Sequence, residues 1–192
     1  MNPIFPDLIH HRRDEHALLA EVLATPLGEM VAIFDEKGLN LLEFFDCKWL
    51  EREIAAVAKH AGKSLIWQET AGRADKRFDD LQNELNAYFA GKLRHFATPL
   101  SPVGTPFQLA AWQILCQIPY AQTRAYSEQA AMLGNPKAVR AVAAANGQNK
   151  ISLLIPCHRV IGKNGKLVGY AGGMARKQAL LALESGVGDL FE

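Results

Sequence analysis

The stretch Thr98-Pro-Leu-Ser-Pro-Val-Gly104 holds two prolines and a glycine in seven residues, which interrupts any helix or central strand running through it. A strong helix start follows at once. Thr105 is placed to cap, Pro106 suits the first helical position and Gln108 completes a capping box, so a helix is predicted from Pro106 to about Ile118. The chain therefore reads as two domains, 1–100 and 105–192, joined through residues 98–104. At 49% hydrophobic and 21% charged, 192 residues suffice for one or two compact domains.

The first half reads as α+β. Met30–Asp35 and Leu39–Phe45 are rich in β-branched and aromatic residues and are separated by Glu36-Lys37-Gly38, the pattern of a β-hairpin. Leu50–Ala61 and Asp79–Ala90 have helical spacing, with Leu81, Leu85, Tyr88 and Phe89 on one stripe and Gly91 as the stop. The second half reads as mainly helical. One helix is expected from near Ser127 to Gly134. Another follows, capped by Asn135, with Pro136 at its first position and Gly147 at its end. Two short helices joined by Gly-Asn-Pro have the proportions of a helix-turn-helix. A last helix spans Arg176 to Glu184.

The formal net charge of +1 hides an asymmetry. Residues 1–100 carry 12 Lys and Arg against 16 Asp and Glu; residues 101–192 carry 9 against 4. An anionic partner such as nucleic acid is expected to dock on the second half. No run of about 18 apolar residues occurs, and the N-terminus lacks the features of a secretory signal, so no membrane span and a cytoplasmic protein are expected. Three cysteines without a C-x-x-C pair argue against a disulfide framework or a closed zinc site. His10, His11 and His16 form no ligand set at a recognised spacing and read as a solvated tail, so no metal is expected.

Cys47 and Cys116 sit in apolar segments and read as small buried hydrophobes. Cys157 differs. The strand-like run Ser152-Leu-Leu-Ile leads into Pro156-Cys-His-Arg159, putting a thiol beside an imidazole and a guanidinium, which favour a thiolate. If the segment were extended, Cys157 and His158 would point to opposite sides.

Several segments in order resemble the methylated-DNA–protein-cysteine methyltransferases, or O6-alkylguanine-DNA alkyltransferases. They are Thr25-Pro-Leu-Gly, Tyr88-Phe-Ala-Gly, Gly104-Thr-Pro-Phe-Gln, Ile118-Pro-Tyr, Gly134-Asn-Pro, Arg140-Ala-Val, Ile155-Pro-Cys-His-Arg-Val, Gly169-Tyr-Ala-Gly-Gly and Lys177…Leu180-Leu181…Glu184. The resemblance covers roughly residues 25 to 185. It implies a ribonuclease-H-like sheet in the first domain. It also implies repair by irreversible, single-turnover transfer of an alkyl group from O6-alkylguanine in a flipped-out base to Cys157, with O4-alkylthymine as a second candidate substrate.

The resemblance also assigns roles. His158 is the base acting through a water, oriented by Glu184, and Tyr126 donates a proton to the leaving guanine. Asn149 is the hinge behind the cysteine segment. Val160 offers its carbonyl to the base, and Tyr170 and Ala171 line the pocket. Arg140 fills the gap left in the duplex. Lys137 lies one helical step from Arg140, and Ala141 belongs to an alanine-rich helix that carries no groups to read bases, which implies DNA binding with little sequence preference. Ala121 stands where many relatives have glycine, a difference expected to touch only a turn. No cofactor and no obligatory protein partner are implied; the expected partner is double-stranded DNA with alkylated bases, bound by a monomer. A Cys-His hydrolase and a non-catalytic lesion-binding module are the competing readings. The first lacks any further motif, and the presence of Cys157 speaks against the second.

Overall fold

The structure, a computed structural model, describes residues 17–67 and 75–186. The N-terminal histidines His10, His11 and His16 lie outside the described residues. The first half is built on a mixed four-stranded sheet: β1 (Leu18–Leu23), β2 (Met30–Phe34), β3 (Leu39–Phe44) and β4 (Leu65–Trp67), in the order β3-β2-β1-β4. The expected hairpin is β2–β3, antiparallel, and its turn is fixed by the Asp35 carboxylate, which accepts from the Lys37 and Gly38 amides at 2.7 and 2.9 Å. β1 and β4 did not register in the sequence. β4 has three residues and pairs with β1 in parallel, so its partner is set by the crossover through α1 (Leu50–Ala61) and not by a local turn.

Both faces of the sheet are covered, which is why β2 and β3 are buried at every position. Val31, Ile33 and Leu41 pack on Leu50, Ile54 and Val57 of α1. Met30, Ala32 and Phe34 pack on the other side against Phe78, Leu81 and Leu85 of α2 (Lys76–Phe89). Each such side chain larger than alanine stabilises the fold by roughly 1.5–3 kcal/mol. The same core continues into the second half through Trp112, Leu115 and Ile118.

The connection at residues 98–104 is held against the sheet. Leu39 donates to the Pro99 carbonyl at 2.8 Å, and Ser101 donates to that of Leu39 at 2.8 Å. Beyond it, α3 (Pro106–Leu115) begins with the expected capping box, Thr105 and Gln108 bonding reciprocally, and stops three residues short of Ile118. The chain continues through β5 (Arg124–Ala125), α4 (Tyr126–Met132), α5 (Val139–Asn146), a single 3-10 turn (Cys157–Arg159), β6 (Val160–Ile161) and α6 (Met174–Ser185). α3, α4 and α5 are locked by a buried amide pair, Gln129 and Asn146, bonded at 3.0 and 2.7 Å, and by the Trp112 indole donating to Ala145 at 2.9 Å.

Three expectations are corrected. Asn135 does not cap α5. With proline next in the chain it opens a β-turn, its carbonyl accepting from Ala138 at 2.9 Å, so the helix starts at Val139 and Lys137 lies off it. Ser152–Ile155 is not a strand. Only Ile151 bridges to Leu42; the chain then coils, with Leu153 left-handed at φ 71°. The cause is Asn149, which accepts from the Ile151 amide at 3.1 Å and donates to the Ile155 carbonyl at 2.9 Å, drawing the two ends of the run together. Finally, Cys116 is exposed at the end of α3, not buried.

Candidate active site

Coiling of residues 151–155 delivers Cys157 onto the 3-10 turn. The short parallel ladder of Arg124–Ala125 with Val160–Ile161 then registers that turn against the start of α4, where Tyr126 sits. A cavity of about 330 Å³ opens between α5 and the loop at 168–171. Tyr126, Arg140, Cys157, Tyr170 and Ala171 line it, five of the residues singled out in the sequence. Gly172 lets that loop pass close to the sheet, since a Cβ there would lie 2.9 Å from the Phe44 ring. Lys137 and Ala141 do not line the cavity; both are exposed, on the turn before α5 and on α5 itself.

Cys157 is 6% exposed, and its Sγ accepts from Asn149 Nδ2 at 3.3 Å. Burial, helped by the charge of Glu43, pushes the thiol up to about 11; the Asn149 hydrogen bond and the Lys177 charge act against this. The sulfur is therefore a thiol at rest, and any reaction needs an acceptor for its proton.

The neighbouring imidazole in the chain faces a different partner. His158 is fully buried and its Nε2 lies 2.9 Å from Glu184 Oε1. Burial holds the imidazole below its ordinary value although Glu184 pulls the other way, so the ring is neutral near pH 7. A neutral ring bonded to a carboxylate carries its hydrogen on that nitrogen, which assigns the lone pair to Nδ1. Nδ1 is buried and has no hydrogen-bond partner among the described residues.

Glu184 is not a solvated charge, although it stands in the last turn of α6. It is 4% exposed and accepts from five donors: Tyr88 Oη at 2.7 Å, His158 Nε2, Arg159 Nε at 2.9 Å, Arg159 Nη2 at 2.9 Å and the Ala121 amide at 3.1 Å. Burial favours the neutral acid, yet the hydrogen bonds from His158 and Arg159 and the Arg159 charge prevail and hold the carboxyl at about 2. Ala121 does more than shape a turn. Its left-handed φ of 62° aims its N–H at Glu184, a conformation that disfavours a Cβ by roughly 1–2 kcal/mol.

Tyr126 donates to the Val168 carbonyl at 3.1 Å, and burial followed by the Cys157 charge keeps its hydroxyl protonated. Val160 is fully buried and outside the cavity lining. Its carbonyl already accepts from Lys177 Nζ at 2.6 Å, leaving one lone pair for any other donor. Lys177 also donates to Val168 at 2.8 Å and Gly169 at 3.2 Å, tying the cavity loop to β6. Lys177, Arg159 and Tyr88 carry structural weight at the site that their place in the resembling segments alone did not reveal.

Two family models match the chain: "6-O-methylguanine DNA methyltransferase, ribonuclease-like domain" over residues 18–102, and "6-O-methylguanine DNA methyltransferase, DNA binding domain" over residues 106–186. A Methanosarcina barkeri protein named methylated-DNA–protein-cysteine methyltransferase is 43% identical over 85% of this chain and 95% of its own length. The chain belongs to the 6-O-methylguanine DNA methyltransferase family. The constitutive Bacillus subtilis enzyme of the same name is 38% identical over 82% of the chain and 88% of its own. Among solved structures, the Mycobacterium tuberculosis O6-methylguanine methyltransferase superposes with TM-score 0.72 at 36% identity. The structure titled as Mycobacterium tuberculosis OGT in complex with DNA reaches 0.74 at 38%; both alignments cover 88% of this chain and 93% of the other. The fold is the two-domain arrangement of this family, a first domain with a mixed sheet and a helical second domain matching its DNA-binding model.

Proposed function

We propose that this methyltransferase-family chain repairs DNA by moving the alkyl group of O6-alkylguanine onto Cys157, once per molecule. The observation that carries this reading is a buried sulfur lining a base-sized, largely apolar cavity, followed in the chain by a neutral imidazole whose lone pair is fixed on Nδ1 by Glu184. His158 Nδ1 takes the Cys157 proton through a bridging water. The thiolate attacks the alkyl carbon, the carbon–O6 bond breaks, and its electron pair passes into the purine. Tyr126 exchanges its bond to Val168 for one to the base and supplies a proton, so that guanine leaves. The product, a thioether, has no carbonyl for water to attack, which ends the reaction after one turnover.

In this reading α4, the turn at Gly134–Ala138 and α5 form a helix-turn-helix, and the first domain's sheet is of the ribonuclease-H type. The domains span 1–100 and 105–192, and a monomer suffices because acceptor, base and cavity lie in one chain. Exposed Ala141 and Ala144 let α5 approach a groove without reading bases. Val160 and Ala171 hold the base through backbone groups, and Lys137 contacts phosphate. Incubation with a duplex carrying one O6-methylguanine should add one methyl group to the Cys157 peptide, and repair should stop at one lesion per chain. An unmodified Cys157 after the lesion disappears would overturn the proposal.

Arg140 is exposed at the rim of the cavity, placed to occupy the gap left by an extruded base. Extrusion costs a few kcal/mol. Arg140→Ala should therefore slow repair in duplex DNA by roughly 10- to 100-fold, and repair of the same lesion in a single strand far less. Equal slowing on both substrates would remove Arg140 from this role.

A further inference from the structure

A second chemical cluster lies where β3 runs into α1. Glu43 is on β3, Cys47 in the following turn, and Glu53 in the first turn of α1. One carboxylate oxygen from each glutamate and the Cys47 sulfur lie within 4.8 Å of one another. All three residues are buried, at 0%, 8% and 3% exposure. Glu43 is oriented by the Phe44 amide at 2.8 Å and the Ser152 hydroxyl at 3.0 Å. Glu53 Oε2 is buried without a hydrogen-bond partner among the described residues. Lys150 and Arg52 are the cations whose charges reach Glu53, but the Lys150 ammonium donates to the Val103 carbonyl at 3.1 Å and the Arg52 guanidinium lies over the Trp49 ring.

Buried carboxylates are ordinarily paired with donors or coordinate a metal. Here two of them and a thiol converge, with one oxygen lacking a donor. Cys47 is thus not simply the small hydrophobe its apolar segment suggests. We propose that Glu43, Cys47 and Glu53 bind a thiophilic divalent cation of the zinc class, one oxygen from each carboxylate and the sulfur serving as ligands and water completing a tetrahedron. A sulfur among three protein ligands selects zinc or cobalt over magnesium and calcium, which take six or more oxygens or keep their water. Zn–O near 2.0–2.2 Å and Zn–S near 2.3 Å put ligand atoms roughly 3.3–3.6 Å apart, inside the 4.8 Å limit within which the three already lie. The Cys47 proton and any proton held by the two carboxyls are released to solvent on binding.

The test uses the full chain, stripped by chelator and titrated with Co²⁺. The expected result is one equivalent bound with a near-ultraviolet thiolate-to-cobalt charge-transfer band, displaced by Zn²⁺, and a melting temperature raised by Zn²⁺. Cys47→Ser should lose the band, and Glu53→Gln should weaken binding by roughly tenfold or more. Cys116→Ser and Cys157→Ser should keep the band. Metal-free Glu53→Gln should melt no lower than the native chain, because it loses a buried carboxylate that lacks a donor, so it decides the matter if Cys47→Ser fails to fold. No charge-transfer band, a band that follows Cys116 or Cys157, or unweakened binding by Glu53→Gln would each overturn the site.

Discussion

A Cys157→Ser chain mixed with a duplex carrying one O6-methylguanine is expected to leave the lesion in place while still binding the DNA. Serine retains the size of the side chain and an acceptor for the Asn149 amide, which sits 3.3 Å from the sulfur. What it lacks is an ionisable, polarisable nucleophile. A saturated carbon offers no carbonyl oxygen whose developing charge the protein could stabilise, so the rate depends on the attacking atom and on the leaving base. Loss of a nucleophile that acts with its base as one unit typically costs on the order of 10⁴-fold or more in rate. Duplex affinity should change little, because the proposed reading assigns it to the exposed residues of α5 and the basic second half. Repair followed by mass spectrometry of the residue-157 peptide, alongside a gel-shift titration, measures both. Serine-dependent clearance of lesions, or one native chain clearing many, would refute covalent capture at position 157. A native chain that binds lesions yet never gains an alkyl group would favour the lesion-binding alternative.

What the sequence revealed was local, and what it concealed depended on distant contacts. The capping box at Thr105 and the β2–β3 hairpin are decided within a few residues, so pattern alone located them. The order of the motifs identified Cys157, Tyr126 and Arg140, and the fold gathers them around one cavity. The route to that geometry was not legible. Ser152–Ile155 has strand composition, but a single amide, Asn149, closes it into a coil, and no periodicity signals a side chain bonding six residues ahead. Asn135 satisfies the N-cap pattern, yet the same Asn-Pro pair also favours a β-turn, and the turn prevailed. The support of Glu184 by Tyr88 spans 96 residues and joins the two domains, so it exists only after folding. Likewise, the cluster around Cys47 depends on a strand edge meeting a helix start.

Glu184→Ala is expected to be the most destabilising single change at the site. It strips the acceptor from Tyr88, His158, Ala121 and Arg159 together. Arg159 is 7% exposed and, among the described residues, would keep the Ile118 carbonyl at 2.7 Å as its hydrogen-bond partner and the Tyr120 ring beneath its guanidinium. Breaking a buried pair from one side costs about 3–5 kcal/mol, a large share of the 5–15 kcal/mol typical of a folded chain, and should lower the melting temperature by roughly 10 °C or more. The effect has a pH signature. The Glu184 carboxyl sits at about 2 in the folded chain against an ordinary 4.5, so the unfolded chain binds more protons between those values and stability falls as pH falls. The contribution is complete above pH 4.5 and disappears as pH drops through 2, amounting to on the order of 3 kcal/mol. Denaturant unfolding of both chains from pH 7 to pH 2 should show the native curve descending toward that of Glu184→Ala. Curves that stay parallel over that range would mean the carboxylate is not held by its donors. Glu184→Gln keeps the shape and should fold better than the alanine variant, yet it gives up the negative charge that draws the imidazole hydrogen onto Nε2. Repair by that variant should slow even where its stability is sufficient, which separates the positioning of His158 from the upkeep of the fold.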